Sequence, residues 1–105
     1  MASSPTTLLT GKIAIVTGGT RGIGGGISRE LVSRGASVAM VYLNPDKTDA
    51  AEKFATELCG LGTGKAVAIR ADLGEEDGAT TIVQETLKRF NVKNIDIIGE
   101  WGRKG

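Results

Sequence analysis

The sequence of 105 residues predicts an α/β domain, built as a doubly wound parallel sheet with helices on both faces. Three observations predict this fold. Short apolar runs of the kind that form fully buried strands alternate with longer segments of helical periodicity. Each strand-like run passes into a helical segment, which gives connections long enough to cross between parallel strands. A glycine-rich turn joins the first strand to the first helix.

The first strand and the first helix lie on either side of the glycine-rich turn. Lys12 to Thr17 is a short apolar run between Gly11 and Gly18, which is too short for a helix and predicts a buried strand. The next segment, from about Ile23 to Arg34, is predicted to be a helix that ends at Gly35. Its predicted buried face has apolar residues at about four-residue spacing: Ile23, Ile27, Leu31 and Val32.

The second strand, Ser37 to Leu43, is another continuous apolar run that leads into a helix. It is ended by Asn44-Pro45-Asp46, in which Asn44 is suited to cap the helix and Pro45 to begin it. Three glycines break this second helix, and Ala66 to Ala71 is predicted to be the third strand. The predicted core-facing residues of the helix have the spacing i, i+3, i+4, i+7: Ala51, Phe54, Ala55 and Leu58.

The third helix is predicted from its charges as well as from its periodicity. The acidic residues Glu75 to Asp77 suit a helix N-terminus, and Lys88 and Arg89 suit its C-terminus. Its predicted buried face comprises Ala79, Ile82, Val83, Leu87 and Phe90. Ile95 to Ile98 begins a fourth strand, and the polar, glycine-rich segment from Gly99 to Gly105 is predicted not to continue it.

The composition excludes several classes of function. Lys and Arg number 13 and Asp and Glu number 12, so the net charge of +1 gives no field that would attract nucleic acid or an acidic membrane surface. With no His and a single cysteine, Cys59, the sequence predicts neither a metal site nor an internal disulfide. No apolar run approaches the ~20 residues of a membrane span. We therefore expect a cytoplasmic protein without a nucleic-acid or membrane partner.

The turn from Thr17 to Gly24 is the strongest candidate for a binding site. Where a strand turns into a helix, unpaired backbone N–H groups and the helix dipole favour an anion, and glycine lets a diphosphate approach the backbone. Gly24 is followed by two further glycines and not by Lys and Ser or Thr, so the segment lacks the residues that a P-loop requires. A turn with a purely structural role is the alternative.

The pattern Thr-Gly-x-x-x-Gly-x-Gly after a first strand resembles the cofactor motif of the short-chain dehydrogenase/reductase family. That family also has Asp-Leu at the end of its third strand, where the Asp meets the adenine, and Asp72-Leu73 stands in this place. The resemblance covers Leu9 to Ile98 and is strongest for ketoreductases of fatty-acid and polyketide type. It implies a three-layer, Rossmann-type sheet truncated after the fourth strand. The implied cofactor-binding residues are Thr17, Gly18, Thr20, Arg21, Gly22, Ile23, Gly24, Tyr42, Asn44, Asp72 and Leu73.

The resemblance implies a nicotinamide dinucleotide, and the end of the second strand indicates which one. A site for NAD(H) has an acidic residue about 20 positions beyond the glycine turn, whereas the 2′-phosphate of NADP(H) needs a positive charge. The corresponding position here is Asn44, and Arg21 in the turn is able to pair with a phosphate. We therefore predict NADP(H) over NAD(H). Asp46 is the counter-evidence, and the alternative role of its carboxylate is that of a first-turn helix acid.

The residues that carry hydride transfer in this family are, by resemblance, a Ser and a Tyr-x-x-x-Lys motif in later segments. The sequence contains no such motif, because Tyr42 and Lys47 are separated by four residues. After Ile98 the family would continue Val-Asn-Asn-Ala-Gly, which is also absent. We expect a mobile leader at residues 1–10, an incomplete NAD(P)-binding domain at 11–98, and a non-family tail at 99–105. A frameshift, an intron read-through or an alternative transcript would produce such a tail.

Three functions stay open at this point. The first is an NADP-dependent oxidoreductase by family, whose present chain is limited to cofactor binding. Such a protein would act on a small carbonyl or alcohol substrate only in a complete form. The second is a non-catalytic module that sequesters cofactor, or that pairs with a full-length homologue through the bare edge of the fourth strand. The third is an unstable truncated product.

Overall fold

The computed structural model describes residues 8–18, 20, 22–62 and 64–100, in which strands and helices alternate along the chain. A 3-10 turn at Pro45–Lys47 precedes the second helix. The other elements are β1 (Ile13–Thr17), α1 (Gly22–Ser33), β2 (Ser37–Tyr42), α2 (Thr48–Cys59), β3 (Ala66–Arg70), α3 (Gly78–Phe90) and β4 (Ile97–Glu100). The order of elements therefore agrees with the prediction.

The four described strands form one parallel sheet in the order β3-β2-β1-β4. β1 is central, since Ala14 pairs with Val38 of β2 on one side and with Ile97 of β4 on the other. The chain moves outward from β1 to β3 and then crosses back to β4, so the strand order reverses between β1 and β4. This reversal confirms the predicted doubly wound, Rossmann-type α/β fold, and its carboxyl edge is where such folds bind ligands.

The core has two layers, one on each face of the sheet. Every second residue of the strands faces α1 and α2 on one side of the sheet, where the hydrophobic cluster includes Val16, Met40 and Leu58. The residues between them face α3 on the other side, where Ile15 and Val41 pack in one cluster with Ile82. Because both faces of the parallel sheet are covered, its strands carry continuous apolar runs, and the predicted three-layer arrangement is confirmed.

The buried face of α1 differs from the predicted one. Ile23 was expected on this face, but 73% of it is exposed, because it borders an open groove at the carboxyl edge of the sheet. The buried residues of α1 are Gly24, Gly25, Ser28 and Val32. A methyl group added at Gly25 would lie 3.6 Å from the ring of Phe54, so α1 and α2 approach closely at this glycine. Small residues therefore allow the two helices to pack side by side.

The buried face of α3 also differs from the predicted one at two positions. Ala79 was expected to be buried and is exposed, whereas Thr86, which was not expected, is fully buried. The hydroxyl of Thr86 donates a hydrogen bond of 2.7 Å to the carbonyl of Ile82. Because this hydroxyl has a partner inside its own helix, burying it costs little free energy of desolvation. A pattern of apolar residues at helical spacing therefore does not predict that Thr86 is buried.

The fourth strand begins later and continues further than predicted. It starts at Ile97 and includes Gly99 and Glu100, which pair with Val16 and Thr17 of β1. The prediction that the segment after Ile98 leaves the strand is wrong for these two residues. A parallel ladder uses backbone N–H and C=O groups, which a glycine and a glutamate supply as well as an apolar residue does.

The C-terminal end of the predicted mobile leader, residues 8–10, lies within the described part of the chain. Leu9 packs against the cluster that contains Val32, and its N–H donates a hydrogen bond of 2.8 Å to the carbonyl of Arg34. Residues 1–7 and 101–105 lie outside the described part of the chain. The division of the chain at residues 10 and 98 stays a prediction.

Two structural exclusions hold for the described residues. None of their helices has the length and apolar character needed to cross a membrane. Within the same ranges, His, Cys, Asp and Glu residues form no group of three that could hold a metal ion. The thiol of Cys59 is free of disulfide bonding and is engaged with the backbone of Ala66.

Candidate functional site

A groove of about 650 Å³ opens at the carboxyl edge of the sheet, between the β1–α1 turn and the β2–α2 connection. Its volume lies within the range of about 300 to 1,000 Å³ that is usual for small-molecule sites. The groove is lined by Gly18, Thr20, Gly22, Ile23, Tyr42, Leu43, Asn44, Lys47, Ala50 and Ala51. The glycine turn and the end of the second strand, both predicted to contact the cofactor, therefore line one groove.

Two glycines shape the floor of the groove. Gly18 has a φ of 69° and Gly22 a φ of 63°, which is the left-handed region that residues with a side chain rarely adopt. The N–H of Gly18 donates a hydrogen bond of 2.9 Å to the carbonyl of Val41, which ties the turn to β2. A methyl group added at Gly22 would meet nothing within 4 Å. A ligand therefore has direct access to the backbone at this position.

Helix α1 begins at the groove. Gly22 is its first residue, and no acidic residue occurs in its first turn. The first N–H groups of a helix have no partner within the helix, and together with the helix dipole they favour a negatively charged ligand. Because α1 has 12 residues and lacks a compensating carboxylate at this end, its N-terminus is suited to a phosphate or diphosphate.

The other end of the groove is built by a hydrogen-bonded turn after β2. The hydroxyl of Tyr42, a residue that is only 9% exposed, donates a 2.9 Å hydrogen bond to Oγ1 of Thr48. Oγ1 of Thr48 in turn donates a 2.9 Å bond to the carbonyl of Pro45. The side chain of Asn44 accepts a 2.8 Å bond from the N–H of Asp46, as predicted for the cap of this segment. The cap leaves the amide NH₂ group of Asn44 as a donor.

Six of the predicted cofactor-binding residues line the groove together: Gly18, Thr20, Gly22, Ile23, Tyr42 and Asn44. Four others do not line it. Thr17 is buried and its hydroxyl donates a bond of 3.3 Å to the carbonyl of Gly99, while the carbonyl of Gly24 accepts a bond from Ser28. The bond of Thr17 joins the end of β1 to β4, and the bond to Gly24 lies within α1.

Asp72 and Leu73, the predicted adenine contacts, also lie outside the lining of this groove. They follow β3, where the carboxylate of Asp72 accepts a 2.8 Å bond from the N–H of Gly74 and Leu73 packs against the α3 side of the core. Arg21, predicted to pair with a phosphate, lies outside the described residues.

Lys47 lines the groove and was not among the predicted cofactor-binding residues. Among the described residues of the lining it is the one charged side chain. The sequence signal for Lys47 is its place directly after Asn44-Pro45-Asp46, the segment that ends the second strand. Its ammonium group makes this end of the groove positive.

Comparison with known proteins identifies relatives over nearly the whole chain. The sequence model of the short chain dehydrogenase family matches residues 12–100. The chain is 43% identical over 100 residues to the hydroxynaphthalene reductase-like protein Arp2 of Metarhizium robertsii, covering 93% of this chain and 36% of that protein. It therefore spans about a third of the length of the curated relatives that it matches.

Solved structures with the same fold include complexes with a dinucleotide. The RhlG/NADP active-site complex of Pseudomonas aeruginosa is 36% identical with a TM-score of 0.71, covering 87% of this chain and 33% of that one. A blue fluorescent protein from a metagenomic library in complex with NADPH is 32% identical with a TM-score of 0.78, covering 88% and 36%. Both similarities extend over most of the described residues.

Proposed function

Because this chain belongs to the short-chain dehydrogenase family, we propose that its groove binds NADP(H) through the diphosphate and the adenosine half of the cofactor. The observation that carries this proposal is the pair of left-handed glycines, Gly18 and Gly22, at the N-terminus of α1. Gly18 opens the turn with its own N–H bound to Val41, and Gly22 leaves the first N–H groups of α1 accessible at the positive end of that helix, as a diphosphate requires. The cofactor, when bound, supplies the hydride chemistry of the family.

The proposed contacts follow from the two ends of the groove. We assign the diphosphate to Gly18, Thr20, Gly22 and Ile23, and the adenosine ribose to Tyr42 and Asn44, which all line the groove. We assign supporting roles to Thr17 and Gly24, which flank the turn at the end of β1 and in the first turn of α1. The adenine contact of Asp72 and Leu73, and the phosphate contact of Arg21, are parts of the proposal that rest on the family motif.

Three observations support NADP(H) over NAD(H). The position that would carry the ribose-binding acid of an NAD site is the neutral Asn44. The counter-evidence, Asp46, is exposed and does not line the groove. The two related structures described above hold NADP or NADPH.

The reaction itself belongs to a protein that also contains catalytic residues. These 105 residues have one tyrosine, Tyr42, at the adenosine end of the groove, and the residue four positions later is Asp46. We propose reduction of a small carbonyl, or oxidation of the alcohol, for a form that carries this segment together with the Ser and Tyr-x-x-x-Lys implied by the family. A reducing, cytoplasmic setting is part of the same proposal.

The proposal is tested by titrating the chain with NADPH and with NADH while its fluorescence is recorded. We expect tighter binding of NADPH, and we expect Arg21→Glu to weaken NADPH binding more than NADH binding, because a carboxylate repels the 2′-phosphate. Equal affinity of the unmutated chain for the two cofactors would overturn the assignment to NADP(H). Absence of binding to either one would overturn the cofactor function as a whole.

A second candidate function is suggested by the edge of the sheet. The outer edge of β4 pairs with no strand in the described part of the chain, and 64% of Ile98 is exposed there. An unpaired edge is able to accept a further strand from another polypeptide. We propose association with a full-length family member as the alternative, and a pull-down that captures no such protein would remove it.

A further inference from the structure

We propose that Gly78, the first residue of α3, is a positioning residue for the purine ring of the ligand, because its lack of a side chain fixes where Asp72 presents its carboxylate. The inference rests on the proposed cofactor function and deepens it at the end of β3. The chemistry that this arrangement selects is a purine with an exocyclic amine, which donates a hydrogen bond to a carboxylate. A purine with a carbonyl group at the same position has no proton to donate there.

The end of β3 is joined by hydrogen bonds to the wall of the groove. The N–H of Ala71 donates a 3.0 Å bond to the carbonyl of Tyr42. Nε of Arg70 donates a 3.0 Å bond to the carbonyl of Leu43. Tyr42 and Leu43 both line the groove. Asp72 therefore directly follows a segment that is tied to the groove wall, although it does not line the groove itself.

The carboxylate of Asp72 has one oxygen that is held and one that is available. Oδ1 accepts the 2.8 Å bond from the N–H of Gly74, and no other donor among the described residues reaches this carboxylate. The next acids along the chain, Glu75 to Asp77, are exposed and repel a further anion. Because an ionised carboxylate accepts hydrogen bonds and donates none, the available oxygen is suited to an amine.

Gly78 sets the position of Asp72 through direct contact of two backbone segments. Gly78 is buried, and a methyl group added to it would overlap the carbonyl oxygen of Asp72 and lie 3.1 Å from Cα of Leu73. Helix α3 resists moving away, since Ile82, one turn after Gly78, is buried in the core beneath the helix. The displacement that a side chain requires would therefore fall on Asp72 and Leu73.

The test uses adenosine 5′-diphosphate and inosine 5′-diphosphate, which share the ribose and the diphosphate and differ in the purine. Calorimetric titration of the 105-residue chain gives the affinity for each and for NADPH. We expect the unmutated chain to bind adenosine diphosphate about tenfold more tightly, which is the effect of one hydrogen bond to a half-buried carboxylate. Gly78→Ala should reduce this ratio to about threefold or less, because the displaced carboxylate no longer meets the amine. The affinity for inosine diphosphate should stay unchanged.

The matched control is Gly64→Ala. A methyl group added to the buried Gly64 would also overlap a carbonyl oxygen, that of Ala36, but it lies before β3, at the opposite edge of the sheet. Both variants should lose stability in urea unfolding, and only Gly78→Ala should lose the preference for adenosine diphosphate. If Gly78→Ala does not fold, Gly74→Ala takes its place, because its methyl group at an exposed position would lie 3.1 Å from Oδ1 of Asp72 and should lower the same ratio.

Asp72→Asn separates the inference from the proposed function. Its amide brings a donor to the place of the available oxygen, so the preference for adenosine diphosphate should be lost or reversed. If Asp72→Asn loses the preference and the glycine variant keeps it, the inference is overturned and the proposed function stands. If the unmutated chain binds NADPH but does not distinguish the two diphosphates, the inference and the proposed adenine contact are overturned together. If it binds none of the three ligands, the whole proposed function is overturned as well.

Discussion

Gly22 and Gly26 lie one turn apart on α1. A side chain is expected to be unfavourable at Gly22 and favourable at Gly26. Gly22 has a φ of 63° at the start of the helix, so any other residue is strained there. Gly26 is exposed inside the helix, and a methyl group added to it would meet nothing within 4 Å. Within one helix, Gly22 is therefore needed for its backbone conformation, whereas Gly26 only lowers the stability of the helix.

We predict that Gly22→Ala lowers the free energy of unfolding by roughly 1 to 2 kcal/mol and weakens NADPH binding. The strain comes from the left-handed backbone, and the added methyl group enters the groove. Gly26→Ala should raise the free energy of unfolding by roughly 0.5 to 1 kcal/mol, because alanine loses less backbone entropy in a helix, and should leave NADPH binding unchanged. Thermal unfolding and a fluorescence titration measure the two quantities.

The two substitutions act as each other's control, since both add one methyl group to the same helix. A Gly22→Ala chain that is as stable as the unmutated chain and binds NADPH equally well would show that the left-handed turn is not part of the site. A loss of NADPH binding in Gly26→Ala would show that the effect is not specific to the turn.

The sequence predicts the glycine turn well because the reason for each glycine is local. Gly18 and Gly22 need their conformations for a turn between a strand and a helix that directly follow each other. Lys47 could not be identified from local sequence in the same way, because its place in the groove lining depends on the groove that the fold forms around it. Ile23 is different for the same reason, because its helical spacing predicts a buried face and only the open edge of the sheet explains its exposure.

At the scale of elements, β4 is held to β1 by more than the ladder of strand hydrogen bonds. The carboxylate of Asp96 accepts a bond of 2.8 Å from the N–H of Ile13, and the N–H of Asp96 donates a bond of the same length to the carbonyl of Ile13. Asp96 thus closes the start of the β1–β4 pair. β4 is short and has one unpaired edge among the described elements, so this closure matters for its stability.

We predict that Asp96→Ala lowers the free energy of unfolding by about 1 kcal/mol, because the buried N–H of Ile13 loses its charged acceptor. Asp96→Asn should lose less, since its amide oxygen still accepts. Urea unfolding followed by circular dichroism measures the change. Glu57→Ala is the control, an exposed acid of α2 whose removal should have little effect on stability. Equal stability of Asp96→Ala and the unmutated chain would contradict this role.

The elements whose patterns are strong were predicted with nearly correct bounds, and the errors are physical in origin. Predicted strand β3 differs from the structure by one residue, at Ala71. The error at β4 arose because backbone pairing with β1 includes Gly99, which no apolar pattern marks. The error at Thr86 arose because an internal hydrogen bond lets a polar residue occupy the core.

At the scale of the whole molecule, the described residues form one part of a doubly wound sheet and one side of its ligand crevice. The groove is lined by residues of the β1–α1 and β2–α2 connections, and none of the described residues of β4 lines it. In a doubly wound fold the crevice lies where the strand order reverses, which here is between β1 and β4. The described groove is therefore the part of the crevice that we propose for the adenosine and diphosphate half of the cofactor.

The most direct test of the central claim, that the glycine turn holds the cofactor diphosphate, is an amide proton–nitrogen NMR spectrum of the whole chain recorded while NADPH is added. We predict that the largest shifts occur at the backbone N–H groups of Gly18, Thr20, Gly22 and Ile23, with a second group of shifts at Asn44 and Lys47. Shifts confined to residues away from the groove, or no shifts at saturating NADPH, would contradict it.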